Sequence, residues 1–414
     1  MRCLKYQIPV LLIGILLSCS SEPVSDNKIL QIVKGKDDIV DKVLADPDHF
    51  KLQILYTQID RDSLNRPIFR SYDYNVDESE YFYPASTVKM PTAFMALEKL
   101  NRLNIKGLNR YSTFITDSAF SGQIVTLADS SSKSGFPSID NYIKRIFLVS
   151  DNDAFNRLYE FVGQQELNEG LRSKGYKNTR ITHRLEIFLS KQENQATNPV
   201  KFYNGDTLIY QQPLIRSEID FTSQRPILLG KGYIRNGEMI NEPMDFTQKN
   251  YISVPDLQKM LKSVLFYEYV DPRQTFMLTQ DDYNFLYQYM SEYPGESQFP
   301  SYDSAFYPSY VKFLMFGNTT DPVPGNFRIF NKVGDAYGFM IDNAYIIDFE
   351  NKIEFLLTVV MQVNENQIYN DGKYEYDQIG FPFFEKFGVL IYEHEKMRKK
   401  KYLPDLTKFK LNYN

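Results

Sequence analysis

A serine hydroxyl is a weak nucleophile at neutral pH and needs a base within hydrogen-bond reach before it can attack an acyl carbon. Ser86 and Lys89 stand three residues apart at the head of an apolar-rich run that includes Phe94, Met95, Leu97 and Leu100. On a helix this spacing places both side chains on one face. Burial and nearby positive charge lower a lysine's pKa until the amine can accept a proton. The pair points to acyl transfer, with Ser86 as nucleophile and Lys89 as its base or base partner. The spacing alone has little specificity, because it recurs from Ser25, Ser130 and Ser309. Ser25 falls in a polar tract and Ser130 in a serine-rich loop, and only Ser86 opens a strongly apolar helical run.

A second element, Ser150-Asp151-Asn152, interrupts an apolar helical stretch after Leu148-Val149. It could be a plain helix break or cap. Chemically, a second hydroxyl can relay a proton to a leaving nitrogen while Asn152 holds a substrate amide. The third element, Lys332-Val333-Gly334, ends a strand-like run from Phe327. Lys332 would supply positive charge to a substrate carboxylate, and Gly334 would let the next backbone N–H approach an oxyanion.

In this order the three elements resemble the class A β-lactamases and penicillin-binding proteins, and the resemblance extends over nearly all of residues 29–395. The stretch from Tyr337-Gly338 through Asn343-Ala344 to Ile346 also looks like that which follows the family's third motif. The resemblance implies β-lactamase-like amide hydrolysis through an acyl-enzyme on Ser86, with Ser150 as relay and Asn152 and Lys332 as substrate contacts. Backbone N–H groups of Ser86 and Asp335 would form the oxyanion hole. Arg184-Leu185-Glu186 falls where the class A subgroup has its omega-loop Arg-x-Glu, so Glu186 would activate the deacylating water; a surface Arg and Glu pair is the alternative.

The chain departs from the family at several points. Val333 replaces a hydroxyl residue that bonds a β-lactam carboxylate, Ser190 replaces an asparagine near the water, and Asp335 is acidic beside the presumed oxyanion. Lys133-Ser134-Gly135 matches the third motif literally but precedes Ser150 and lies in a loop. A cell-wall peptidase or esterase of the same fold, and a non-catalytic binding protein retaining it, are the rival readings.

These residues need a frame. Helical periodicity over Ile29–Leu44 predicts one amphipathic helix. Strands at 51–59 and 67–72 are predicted around the turn Asp62-Ser63-Leu64-Asn65. Pro91 lies too deep to be the first helical residue, so a tightened or kinked first turn is expected after Ser86. Residues 139–174 read as helices broken at Ser150-Asp151-Asn152 and Gly163. Asn204-Gly205 and Asn236-Gly237 predict two hairpins, and Ser253 with Pro255 and Asp256 starts another helix. Apolar strands Ala344–Phe349 and Ile353–Val363 and a helix of about 20 residues from Pro382 close the chain. With the resemblance, these elements imply an α/β (α+β), β-lactamase/transpeptidase-like fold: an antiparallel sheet of about five strands flanked by helices, plus a helical subdomain. The sheet subdomain takes 29–80 and 320–414, the helical subdomain 81–319, and a hairpin insertion about 191–250 that lies next to the presumed water site or is peripheral decoration. The active site is expected between the subdomains.

Ahead of the domain, Arg2 and Lys5 precede an apolar run, Ile8–Leu17, too short to span a bilayer. The run ends in Leu16-Leu17-Ser18-Cys19, which resembles the bacterial lipobox. Residues 1–18 are expected to be a cleaved signal, Cys19 the lipid-modified first residue, and 19–28 a flexible tether. The chain is then exported and held to a bacterial membrane, facing the periplasm or the exterior, and acts as a monomer. Losing Arg2 and Lys5 takes the formal charge from -5 to -7, which argues against a nucleic-acid partner. With Cys3 removed, no internal disulfide is possible. His49, His183 and His394 are isolated, and no cofactor or metal motif is present. The C-terminal run Lys396 to Lys401 reads as a solvated basic helix end.

Overall fold

The computed structural model describes residues 27–413, so the signal sequence and Cys19 lie outside the described residues. The central sheet has five antiparallel strands in the order Phe327–Ala336, Phe339–Asp348, Ile353–Gln362, Gln53–Arg61 and Pro67–Tyr74. Both chain ends build it: Gln53 pairs with Val360 where the N-terminal hairpin meets the C-terminal strands. Side chains alternate between its faces. Ile341, Tyr345, Leu356 and Val360 enter one core, while Met340, Ala344, Ile346, Phe355 and Leu357 enter another on the opposite face. Burial on both sides explains why these strands read as near-continuous apolar runs. Helices Lys28–Val33, Asp38–Ala45 and Phe381–Met397 cover the second core. The first is covered by helices Lys89–Leu103, Ile139–Val149, Asn152–Val162, Gln164–Ser173, Val254–Leu265 and Gln280–Ser291.

Three sequence expectations are corrected here. The N-terminal helix is two, because Gly35 takes φ +76 and donates its N–H to the Asp41 carboxylate at 2.8 Å. The first of them takes in Lys28 and is capped by Asn27, both within the stretch expected to be tether. At the other end the basic run is not simply solvated: Arg398 pairs with Asp60 and Glu395, and Leu406 and Phe409 fold back into the first core. Both Asn-Gly hairpins form, Val200–Asn204 with Thr207–Gln212 and Gly232–Arg235 with Glu238–Ile240. Neither is isolated. Val200–Asn204 also pairs with Thr113–Thr116, and Gly232-Tyr233 pairs in parallel with Ile368-Tyr369, just beyond the last strand of the sheet.

Candidate active site

Ser86 lies in a 3-10 turn, Ala85–Val88, that runs directly into helix Lys89–Leu103. This is the tightened turn that Pro91 requires, since a helix starting at Lys89 leaves Pro91 in its first turn, where its missing N–H breaks no bond. The Thr87 N–H and hydroxyl both donate to the Pro84 carbonyl, at 3.0 and 2.6 Å.

Lys89 Nζ is 2.7 Å from Ser86 Oγ and 3.2 Å from Ser150 Oγ, and it also bonds the Ser150 carbonyl. Lys332 Nζ reaches the same Ser150 hydroxyl at 2.8 Å and the Val333 carbonyl at 2.9 Å. A continuous hydrogen-bonded path thus joins Ser86, Lys89, Ser150 and Lys332. Both amines are buried. Desolvation brings Lys89 from 10.5 down to about 7, against the opposing pull of Asp151, Glu186 and Asp335. Lys332 is driven well below its ordinary value by burial first and by the Lys89 charge second. Near neutral pH Lys89 therefore spends a substantial fraction of time as the free amine, the form that can take the Ser86 proton.

Ser150 is held at a corner between two helices. Helix Ile139–Val149 ends on it at φ +60, and Asp151 starts the next by accepting the Ala154 N–H at 2.8 Å. Arg145 pins the Asp151 carboxylate at 2.8 Å. The trio is at once a helix break and the support of the site. Gly334 closes the other wall: a Cβ there would lie 2.8 Å from both Pro84 O and Ser86 N. Only glycine lets the edge strand approach the serine turn this closely, which brings the strand end bearing Asp335 beside the Ser86 backbone N–H. Strand alternation sends Val333, with Ile329, into the second core. Lys332 Nζ is turned to Ser150, and the residue is not among those that line the open cleft. The Ser309-x-x-Lys312 match forms no such pair. Ser309 Oγ donates to the Thr319 carbonyl, and Lys312 Nζ to Met290 O, Ile329 O and Asn331 Oδ1.

Arg184 and Glu186 are not a surface pair. Arg184 is buried, with Nε 2.7 Å from Glu160 and Nη2 2.8 Å from the Ala196 carbonyl. Asn156 exchanges two bonds with the Leu185 backbone, at 2.8 and 2.9 Å, tying this loop to the helix that begins at Asn152. Glu186, at φ +55, is left exposed on the cleft wall. Ser190 caps the short helix Lys191–Asn194 and does not line the cleft.

The cleft encloses about 500 Å³ and is lined by Ser86, Asn152, Glu186 and Asp335. Its remaining wall, including Tyr83, His183, Lys249, Tyr337, Asn370 and Tyr374, escaped the sequence reading as site residues. Of these only Tyr337 had a signal, its place just after the third motif. Tyr83 meets Tyr337 edge-on at 5.0 Å and lies parallel to His183 at 6.2 Å. Burial first, and Lys249 second, hold His183 down to about 3, so it is neutral and its Nδ1–H donates to the Arg184 carbonyl at 2.6 Å. Ala85, Ser150, Glu186 and Tyr337 all have positive φ. Non-glycine residues held there cost on the order of 1 kcal/mol or more each, and such strain gathers at functional sites. Among the described residues no cluster of His, Cys, Asp and Glu forms a metal site.

A family model described as the beta-lactamase enzyme family matches residues 40–380. No curated protein matches the chain. Among solved structures it is similar to the beta-lactamase from Sphaerobacter thermophilus DSM 20745, at 13% identity over 87% of this chain and 96% of that one, with a TM-score of 0.47. The beta-lactamase from Streptomyces albus G gives 14% identity, 85% and 99% coverage, and the same TM-score of 0.47. A structure of PBP-A gives 15%, 83%, 89% and 0.47. With the family model spanning most of the chain, this protein belongs to the beta-lactamase enzyme family.

Proposed function

We propose that this chain is an exported, lipid-anchored serine hydrolase that carries an acyl intermediate on Ser86 and cleaves β-lactam-like amides. The observation that carries the reading is the buried Lys89 amine, 2.7 Å from Ser86 Oγ and brought down to about 7. In this scheme Lys89 takes the Ser86 proton as Oγ attacks the carbonyl carbon. The oxyanion gathers at the backbone N–H groups of Ser86 and Asp335. Ser150, in contact with both lysines, passes a proton to the leaving nitrogen as the C–N bond breaks. Glu186 then draws a proton from a water that attacks the acyl carbon and frees Ser86. The low-pKa amine against the hydroxyl supports catalysis over a purely binding role. Export and the anchor rest on residues 1–18 and Cys19.

A cell-wall peptidase or esterase is the second reading. It is favoured by Val333, which faces the core and carries no hydroxyl for the carboxylate of a β-lactam. Intact-mass measurement of the mature chain after exposure to a chromogenic β-lactam and a panel of activated esters separates these. We expect an adduct on Ser86 that decays, its absence in Ser86→Ala, and its persistence in Glu186→Gln. A wild-type chain left unmodified by every compound would end the acyl-enzyme reading.

A further inference from the structure

We propose that the substrate's acyl group ends in a carboxylate remote from the bond that breaks, and that Lys249 binds it. This rests on the acyl-transfer reading above and adds the chemical class of substrate. Two cationic side chains line the cleft, Arg184 and Lys249. Arg184 is taken up by Glu160 and the Ala196 carbonyl. Lys249 makes no ion pair among the described residues; its amine reaches the Tyr337 hydroxyl at 3.4 Å and lies 5.6 Å from the centre of that ring. At the reacting end the cationic groups are withdrawn from the cleft wall. Glu186 and Asp335 line the cleft there with Ser86, whereas Lys89 and Lys332 are buried on Ser150. Within the cleft wall itself, a substrate anion finds its cationic partner at Lys249.

Space for such a group adjoins the cleft. A second cavity of about 260 Å³ shares His183, Ile187, Phe188 and Lys249 with it. Its other lysine, Lys191, is paired with Asp220 at 2.6 Å, and its Asp245 accepts the Thr247 N–H at 2.7 Å. Lys249 is thus the unpaired cation at the junction, approached past Ile187 and the fully exposed Phe188. Such an acyl group carries an apolar stem, passing Ile187 and Phe188, between its reacting carbonyl and its terminal carboxylate. Tyr337 Oη is placed to donate to the same anion.

The test compares two p-nitrophenyl esters of suberic acid, one with its far end as the free carboxylate and one with it as the primary amide. We expect the wild-type chain to prefer the carboxylate ester in kcat/KM, and the preference to shrink as salt is raised. Lys249→Ala should lose about tenfold of that preference, the scale of one hydrogen bond to a charged group. Lys249→Arg should restore it, and unfolding midpoints of both variants report that the fold is intact. Equal turnover of the two esters by the wild type, or an equal fall on both in Lys249→Ala, would overturn the inference and leave the Ser86 reading standing. Absence of any Ser86 adduct in the wild type would overturn both.

Discussion

Burying Lys89 disfavours its ammonium form, and the same desolvation that opposes folding prepares the residue for chemistry. Its amine titrates near 7 in the folded chain and near 10.5 when exposed. Acylation of Ser86 should therefore rise with pH through about 7 and level off above it, a flat profile across that range being incompatible with Lys89 as the base. The consequence for stability has a definite sign. Between those two values the unfolded chain binds the extra proton, so the penalty from this residue is full below pH 7 and fades as pH rises toward 10, at about 1.4 kcal/mol per unit. Lys89→Met should abolish acylation yet melt above the wild type at pH 6, with the gap closing by pH 10. A variant less stable than wild type at both pH values would show that packing, not desolvation, dominates. Ser86, Lys89, Ser150 and Lys332 were legible because the Ser-x-x-Lys pair opens an apolar helix and the three short elements, in this order, resemble a known family; the spacing alone recurs elsewhere in the chain. Lys249 and His183 were not, since a single Lys or His carries no address. Nor was the left-handed backbone of Ala85 and Glu186, where neither residue type favours that conformation.

At the scale of elements, the site is made by ends: a turn feeding the serine helix, two helices meeting at Ser150, and the end of an edge strand. The helix breaks at Ser150 and Gly163 were readable because capping residues and glycine punctuate a strong 3.6-residue period. The break at Gly35 was missed because apolar residues on both sides keep nearly the same phase, so periodicity ran through it. Gly334 is the most exposed to test. Its Cβ would sit 2.8 Å from the Pro84 carbonyl oxygen and the Ser86 nitrogen, both backbone atoms that cannot rotate away. Gly334→Ala must push the strand and the serine turn apart, at about 1–3 kcal/mol for overpacking. We expect kcat to fall by about tenfold or more while circular dichroism stays unchanged and the unfolding midpoint drops by several degrees. Wild-type kcat in this variant would mean that the strand end does not contribute to the oxyanion site.

Across the whole molecule, the strands showed in the sequence and their union into one sheet from both chain ends was what the family resemblance implied, but the course of the insertion had no such guide. Its second hairpin pairs with the segment after the last strand over a two-residue parallel ladder, Gly232 with Ile368 and Tyr233 with Tyr369, a ladder too short and too distant in the chain to leave a local signal. The join matters because the same segment carries Asn370 and Tyr374 to the cleft, while the insertion carries Lys249. Phe246 packs on Tyr369 at 5.1 Å, and the Lys231 N–H donates to the Gln367 carbonyl at 2.9 Å. Gly230 makes this closure possible: it has φ +73, and a Cβ there would lie 2.6 Å from Gln367 O and 2.7 Å from the Tyr369 ring. Gly230→Ala combines an unfavourable backbone with a clash against a fixed carbonyl, so the outer wall should loosen while the Ser86, Lys89, Ser150 and Lys332 array, held by other elements, stays in place. The expected result is KM raised several-fold with kcat nearly retained, together with faster protease cleavage in the loop around residues 226–243. If kcat falls in parallel and cleavage is no faster, the insertion acts through the reacting groups themselves and not as one wall of the substrate cleft.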